Sequence, residues 1–269
     1  MLTPALIPLR SEPLIMPELA TLLQLPEGIS PAMALFFMAC AAVTAMITAA
    51  LGAGGGAALL IILAQWIPPA ALIPVHGLTQ LGANLSRATM TWRHIQWPVI
   101  GAFLPGALLG AWAGNQVLLQ TPEAVWQLTI AAFVLWFCWG PPLPAIAFGR
   151  AGIAVAAAVT TFASLFVGAT GPLVAAFLKQ LGENRFRTVA TFAAAMSIQH
   201  APKAFAFASV GFILHEWLLL IVLMISASVI GNKVGLRFLK GWSDRHFHQL
   251  FNVILTLLAL RLIWQALNN

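Results

Sequence analysis

Apolar stretches about 20 residues long, the length an α-helix needs to cross a bilayer core, recur from Pro31 onward with short polar connections between them. The pattern predicts helices over about 31–51, 57–66, 69–91, 97–119, 122–140, 149–167, 172–179, 187–208, 215–239 and 246–267. Two of these, 57–66 and 172–179, are too short to span. Each follows a glycine break, GAGGG at 52–56 and GATGP at 168–172, and the breaks lie 116 residues apart. The same offset carries Asn84 onto His200 and Arg87 onto Lys203. With one inserted residue it carries GNQV at Gly114 onto GNKV at Gly231. The chain therefore reads as an N-terminal extension over 1–30, a first transmembrane repeat over 31–140 and a second over 149–267. The expected fold is all-α: a polytopic membrane protein of about eight transmembrane helices in two related halves with glycine-broken half-helices.

Composition agrees with that setting. Of 269 residues, 61% are hydrophobic and 7% charged, against about 25% charged in soluble domains. The net charge of +6 does not point to nucleic acid, because Lys and Arg sit mainly at helix ends and in short loops, as topology signals do. Counting each broken segment as one crossing places Lys179, Arg185, Arg187, Arg237, Lys240 and Arg245 on one side, which is then cytoplasmic, with both termini outward. If the short segments instead re-enter and each half holds an odd number of spans, the repeats are inverted. Trp66, Trp97 and Trp242 read as interfacial anchors. In residues 1–30 the only basic residue, Arg10, follows the first apolar run, a poor fit to a signal peptide. The localisation this implies is multi-pass in a cell membrane, the inner membrane in a bacterium.

Candidate chemistry is sparse. Cys40 and Cys138 fall within spans without CxxC spacing, so no metal, cofactor or catalytic residue is expected, and the chain does not read as an enzyme. Acidic residues are nearly absent from the spans, which argues against a cation pathway. A helix broken at membrane depth survives only where its freed backbone is buried in protein or lines a cavity. Gly54, Gly55 and Gly56 would let the half-helix after them aim unpaired N–H groups at an anion. In the second half Thr170, Gly171 and Pro172 would do the same. The competing reading is that these glycines only permit tight helix crossing, as the ladders Gly106, Gly110, Gly114 and Ala227, Gly231, Gly235 do.

The helix after the first break carries His76, Gln80, Asn84, Arg87 and Thr91 on one narrow face, and its counterpart carries Gln199 and Lys203 with His200 beside them. The candidate substrate-binding set is Gly54, Gly55, Gly56, Gln80, Asn84, Arg87, Thr170, Gly171, Gln199, His200 and Lys203, with Arg87 and Lys203 expected to face one cavity as a cation pair. The alternative for Arg87 is snorkelling to the interface beside Arg93. For His76 and His200 the alternative to donating to substrate or carrying protons is hydrogen-bonded packing.

The stretch ITAALGAGGGAALLIILAQWIPPAALIPVHGLTQLGANLSRATMTWRHIQWPVIGAFLPGALLGAWAG resembles the first half of the TauE/SafE sulfite exporter family, and the likeness extends over about residues 31–267. Gly52, Gly54, Gly55 and Gly56 match the family's GxGGG break; in the second break Thr170 and Pro172 stand where the family has glycines. The resemblance implies a transporter, an exporter, of a small sulfur-containing anion such as sulfite, thiosulfate or an organosulfonate. The implied partners are that anion, the lipid bilayer and, as a homo-oligomer, further copies of the chain. Each unit of negative charge leaving a negative interior gains about 2.3 kcal/mol per 100 mV, so export needs no coupling ion. The alternatives are a membrane assembly or scaffold factor and a membrane-embedded sulfur-transfer protein.

Overall fold

The computed structural model describes residues 24–118, 123–140, 149–181, 183–209, 211–238 and parts of 253–267. Most of the extension over 1–30, and from the last predicted helix and the loop before it Lys240, Trp242, Asp244, Arg245, His246 and His248, lie outside the described residues. Every regular element among those described is helical. Those with defined limits are α1 (Pro31–Leu51), α2 (Gly55–Leu63), α3 (Pro69–Met90), α4 (Trp97–Leu118), α5 (Glu123–Trp139), α6 (Arg150–Val167), α7 (Gly171–Gln180), α8 (Arg185–Ala208) and α9 (Leu214–Phe238), with a 3-10 turn at Trp92–His94; residues 255–261 are helical too.

Local chemistry sets the ends. Ser30 caps α1 by accepting from the Met33 amide at 3.2 Å, and Pro31 suits the first position. Asn184 caps α8 in the same way through the Arg187 amide at 3.0 Å. At the breaks the chain passes through positive φ at Gly54 (102°) and Gly168 (80°), a region that L side chains rarely adopt. Glycine is therefore required for backbone geometry at both breaks.

The short helices double back. After α1 has run inward, α2 returns along it, so that Trp66 packs on Phe36 and Phe37 at ring centroids of 5.5 and 6.0 Å. α3 then starts on the face where α1 began. It runs antiparallel to α8: along α3 the contacts go from His76 with His200, through Arg87 with Phe192, to His94 with Phe186. α4 returns from that second face, where the Gln96 amide meets Thr191 Oγ1 at 3.0 Å, to the first, where Asn115 meets Ser209 at 3.4 Å. The glycine ladders pair helices in parallel across the halves. Gly106 and Gly110 of α4 press on the carbonyls of Ala154 and Ala158 in α6, and Gly231 and Gly235 of α9 press on those of Ala42 and Met46 in α1.

These contacts decide the topology. α1, α3 and α9 run one way across the body and α4, α6 and α8 the other. Each element of the first half therefore opposes its counterpart in the second, α1 with α6, α3 with α8 and α4 with α9. The repeats are inverted, and the count in which each broken segment makes one crossing is replaced by two hairpins that enter from opposite faces. Four described helices, α1, α4, α6 and α9, are long and apolar enough to cross a membrane by length and composition. α3 and α8 have the length, at 22 and 24 residues, but carry the polar stripes and pack against each other. That measure covers the described residues alone and leaves the expected total of eight spans unconfirmed. Arg93, Arg150, Lys179, Arg185, Arg187 and Arg237 gather where α3, α7 and α9 end and α6 and α8 begin. Glu27, His215 and Glu216 lie at the opposite face.

Candidate functional site

The two hairpins bring the N-termini of α2 and α7 to mid-depth from opposite sides, and a cavity of about 20 Å³ lies between them, room for about one water. Its walls are built from repeat-equivalent positions: Gly56 with Pro172, His76 with Phe192, Gln80 with Met196 and Asn84 with His200. The α2–α3 wall is thus polar, whereas the α7–α8 wall is apolar apart from His200. The helix ends differ in the same sense. The first-turn amides of α2 have no capping side chain, and intrahelical bonding begins with the Ala58 amide to Gly54 O at 3.1 Å. In α7, Pro172 has no N–H and the Leu173 amide already donates to Thr170 O at 3.0 Å. The free amide donors at the two breaks thus belong mainly to the first half.

Among the residues singled out from sequence, Gly54, Gly56, Gln80, Asn84, Gly171 and His200 line the cavity. Gly55 does not: a β-carbon there would fall on the Thr44 carbonyl oxygen, so its service is the close passage of α2 across α1. Thr170 donates to Thr160 O at 3.1 Å and accepts from Gln199 Nε2 at 2.5 Å, so this pair braces the second break. Lys203 is wholly buried. Its stem packs on Gly77 and its ammonium donates to Gly168 O at 2.7 Å, holding the carbonyl that ends α6. At the other break Arg185 donates to Ala50 O at 2.5 Å.

Arg87 is also buried, at 2% exposure, and does not reach an interface. It donates to Asn84 Oδ1 and, at 3.3 Å, to Asn232 Oδ1, with its guanidinium 5.7 Å from the centre of the Phe192 ring. Asn84 in turn donates to Gln80 O at 2.7 Å and Gln80 Oε1 at 3.3 Å. Arg87 therefore acts on the cavity by orienting Asn84 and Gln80. The two cations are held separately, and neither side chain lines the cavity.

Asn232 was not singled out. It donates to Ala83 O at 2.7 Å and Ser86 Oγ at 2.9 Å while accepting from Arg87, and its position in the repeated GNKV was the signal that could have found it. Phe192 and Met196 carry no polar signal, and only the 116-residue offset from His76 and Gln80 points to them. His76 belonged to the predicted stripe and lines the cavity. Its Nε2 lies 2.9 Å from Gly56 O, and its Nδ1, like that of His200, is buried without a partner among the described residues. Among the described residues no group of His, Cys, Asp and Glu is arranged to hold a metal ion.

The cavity thus gathers free half-helix amides, two imidazoles and a carboxamide pair held by a guanidinium. The family model described as Sulfite exporter TauE/SafE matches residues 37–262. Comparison with curated proteins and with solved structures finds no match.

Proposed function

The chain belongs to the sulfite exporter TauE/SafE family, and from that premise we propose that it carries sulfite or a closely related sulfur anion, thiosulfate or an organosulfonate, out of the cell. The observation that carries this reading is the opposition of the two half-helix N-termini across one cavity with a polar wall from α2 and α3 and no acidic side chain among its lining residues. Inverted hairpins around a central site are the geometry of alternating access, in which one arm rocks against the other and exposes the site to each face in turn. A cavity holding about one water is smaller than a sulfur oxyanion, so admission requires α2 or α7 to move, or Gln80 and Met196 to change rotamer. The basic face is the cytoplasmic one by the positive-inside rule, which places α1's start outside in a cell membrane.

The test is thermal unfolding of the purified protein with sulfite, thiosulfate, sulfate, sulfoacetate or taurine, paired with sulfite efflux from proteoliposomes. A ligand at a hundred times its dissociation constant stabilises by about 2.7 kcal/mol. Sulfite or thiosulfate should therefore raise the melting temperature. A scaffold would respond to none of the five, and that result together with no efflux would overturn the reading.

A further inference from the structure

His76 has one ring nitrogen whose role is decided by its neighbour. Its Nε2 lies 2.9 Å from the Gly56 carbonyl oxygen, and a carbonyl can only accept, so Nε2 carries the hydrogen. In the neutral ring Nδ1 is then a bare acceptor. It is wholly buried, has no partner among the described residues, and belongs to a residue that lines the cavity. A bare acceptor on a residue that lines an anion site repels every oxygen that reaches it without a hydrogen.

We propose that His76 makes this a site for an anion accompanied by one proton, so that sulfite is bound and moved as hydrogen sulfite or its equivalent, the dianion with the proton on Nδ1. The inference rests on the sulfur-anion reading and names the protonation state of that substrate. The two forms have the same composition. Either the anion's S–O–H donates to Nδ1, or Nδ1–H donates to an anionic oxygen, and the proton lies between the same two atoms. The charge leaving the cell per sulfite is then one unit rather than two.

The groups facing His76 supply no alternative partner. From α8 they are His200, with ring centroids 6.1 Å apart, and Lys203, whose ammonium is held by Gly168 O. α2 has no titratable side chain. On α5, α6, α7 and α9 the titratable residues, Glu123 and Cys138, Arg150, Lys179, and His215, Glu216, Lys233 and Arg237, lie near helix ends, and on α3 itself Arg87 is committed to Asn84 and Asn232. Chemically, the site then selects oxyanions that take a proton readily over those that do not.

The experiment is calorimetric titration of the intact detergent-solubilised protein with sodium sulfite, in buffers of different ionisation enthalpy, at a pH where free sulfite is the dianion. About one proton should be taken up per sulfite bound. His76→Leu, which removes the acceptor, should bring the count toward zero. His76→Gln, which keeps a donor for Gly56 O and an acceptor for the cavity, should retain it on the anion. Sulfite binding without proton uptake by the wild-type protein overturns the proton site while leaving the sulfur-anion reading intact. A wild-type proton count in His76→Leu assigns the proton elsewhere and also overturns it. No sulfite binding at any pH overturns the proposed function and this inference with it. A wild-type count of zero is decisive without any variant, and a count of one is assigned to His76 by the His76→Leu result.

Discussion

Alanine at Gly55 and alanine at Gly56 add the same methyl group one residue apart, and the structure assigns them opposite outcomes. At Gly55 the new β-carbon would fall on the Thr44 carbonyl oxygen and lie 2.7 Å from its carbon, backbone against backbone, where neither side can rotate away. Restoring contact distance means shifting α2 from α1 by about 1 Å. Overpacking of this kind costs about 1–3 kcal/mol, and the rigid partner puts Gly55→Ala at the upper end. At Gly56 the nearest atom is Gln80 Nε2 at 3.3 Å, the end of a flexible side chain, and alanine is the better helix former by up to about 1 kcal/mol. Gly56→Ala should therefore fold with a stability within about 1 kcal/mol of wild type. Its methyl, however, takes up roughly the room of the one water that the 20 Å³ cavity admits. Sulfite efflux should fall by roughly tenfold or more, which corresponds to about 1.4 kcal/mol in the barrier. Thermal unfolding in detergent and efflux per inserted protein in proteoliposomes separate the two variants. Wild-type efflux by Gly56→Ala would refute the cavity as the anion's path, and a wild-type melting temperature for Gly55→Ala would refute the backbone contact.

Asn232→Leu removes an acceptor from Arg87 and donors from Ala83 O and Ser86 Oγ, so it should destabilise the protein by about 2–3 kcal/mol by equilibrium unfolding in mixed micelles and loosen Asn84 enough to weaken sulfite binding; unchanged unfolding would show that Arg87 needs only Asn84. The inverted repeats predict that single cysteines introduced at Glu27 and Glu216 react with an impermeant thiol reagent from one side of the membrane and those at Arg93 and Glu183 from the other, in a background without Cys40 and Cys138. Labelling of Glu27 and Arg93 positions from the same side would break the topology.

What could be read without coordinates was local. Helix positions follow from apolar length, and the nine described helices fall within about two residues of their predicted limits, apart from the C-terminus of α2, predicted at 66 and found at Leu63. The breaks follow from glycine, since positive φ at Gly54 and Gly168 is a property of the residue itself. The burial of Lys203 follows from its depth in an apolar run, whereas Arg87, in the last turn of α3, could from sequence have reached the interface and is buried by its packing. The direction in which α2 and α7 leave their breaks was not legible. A glycine run permits both continuation and reversal, and the choice rests on α2 lying against Thr44 and Trp66 meeting Phe36. That choice decides between parallel and inverted repeats. Nor could sequence separate Gly55 from Gly56, because only the tertiary packing says which of two adjacent hydrogens faces a backbone and which faces a cavity. The partners of the two cations were not legible either. Arg87 finds Asn232 at a separation of 145 residues and Lys203 finds Gly168 at 35. A buried donor must take whatever acceptor the fold brings within about 3 Å, and no periodicity along the chain records which one that is.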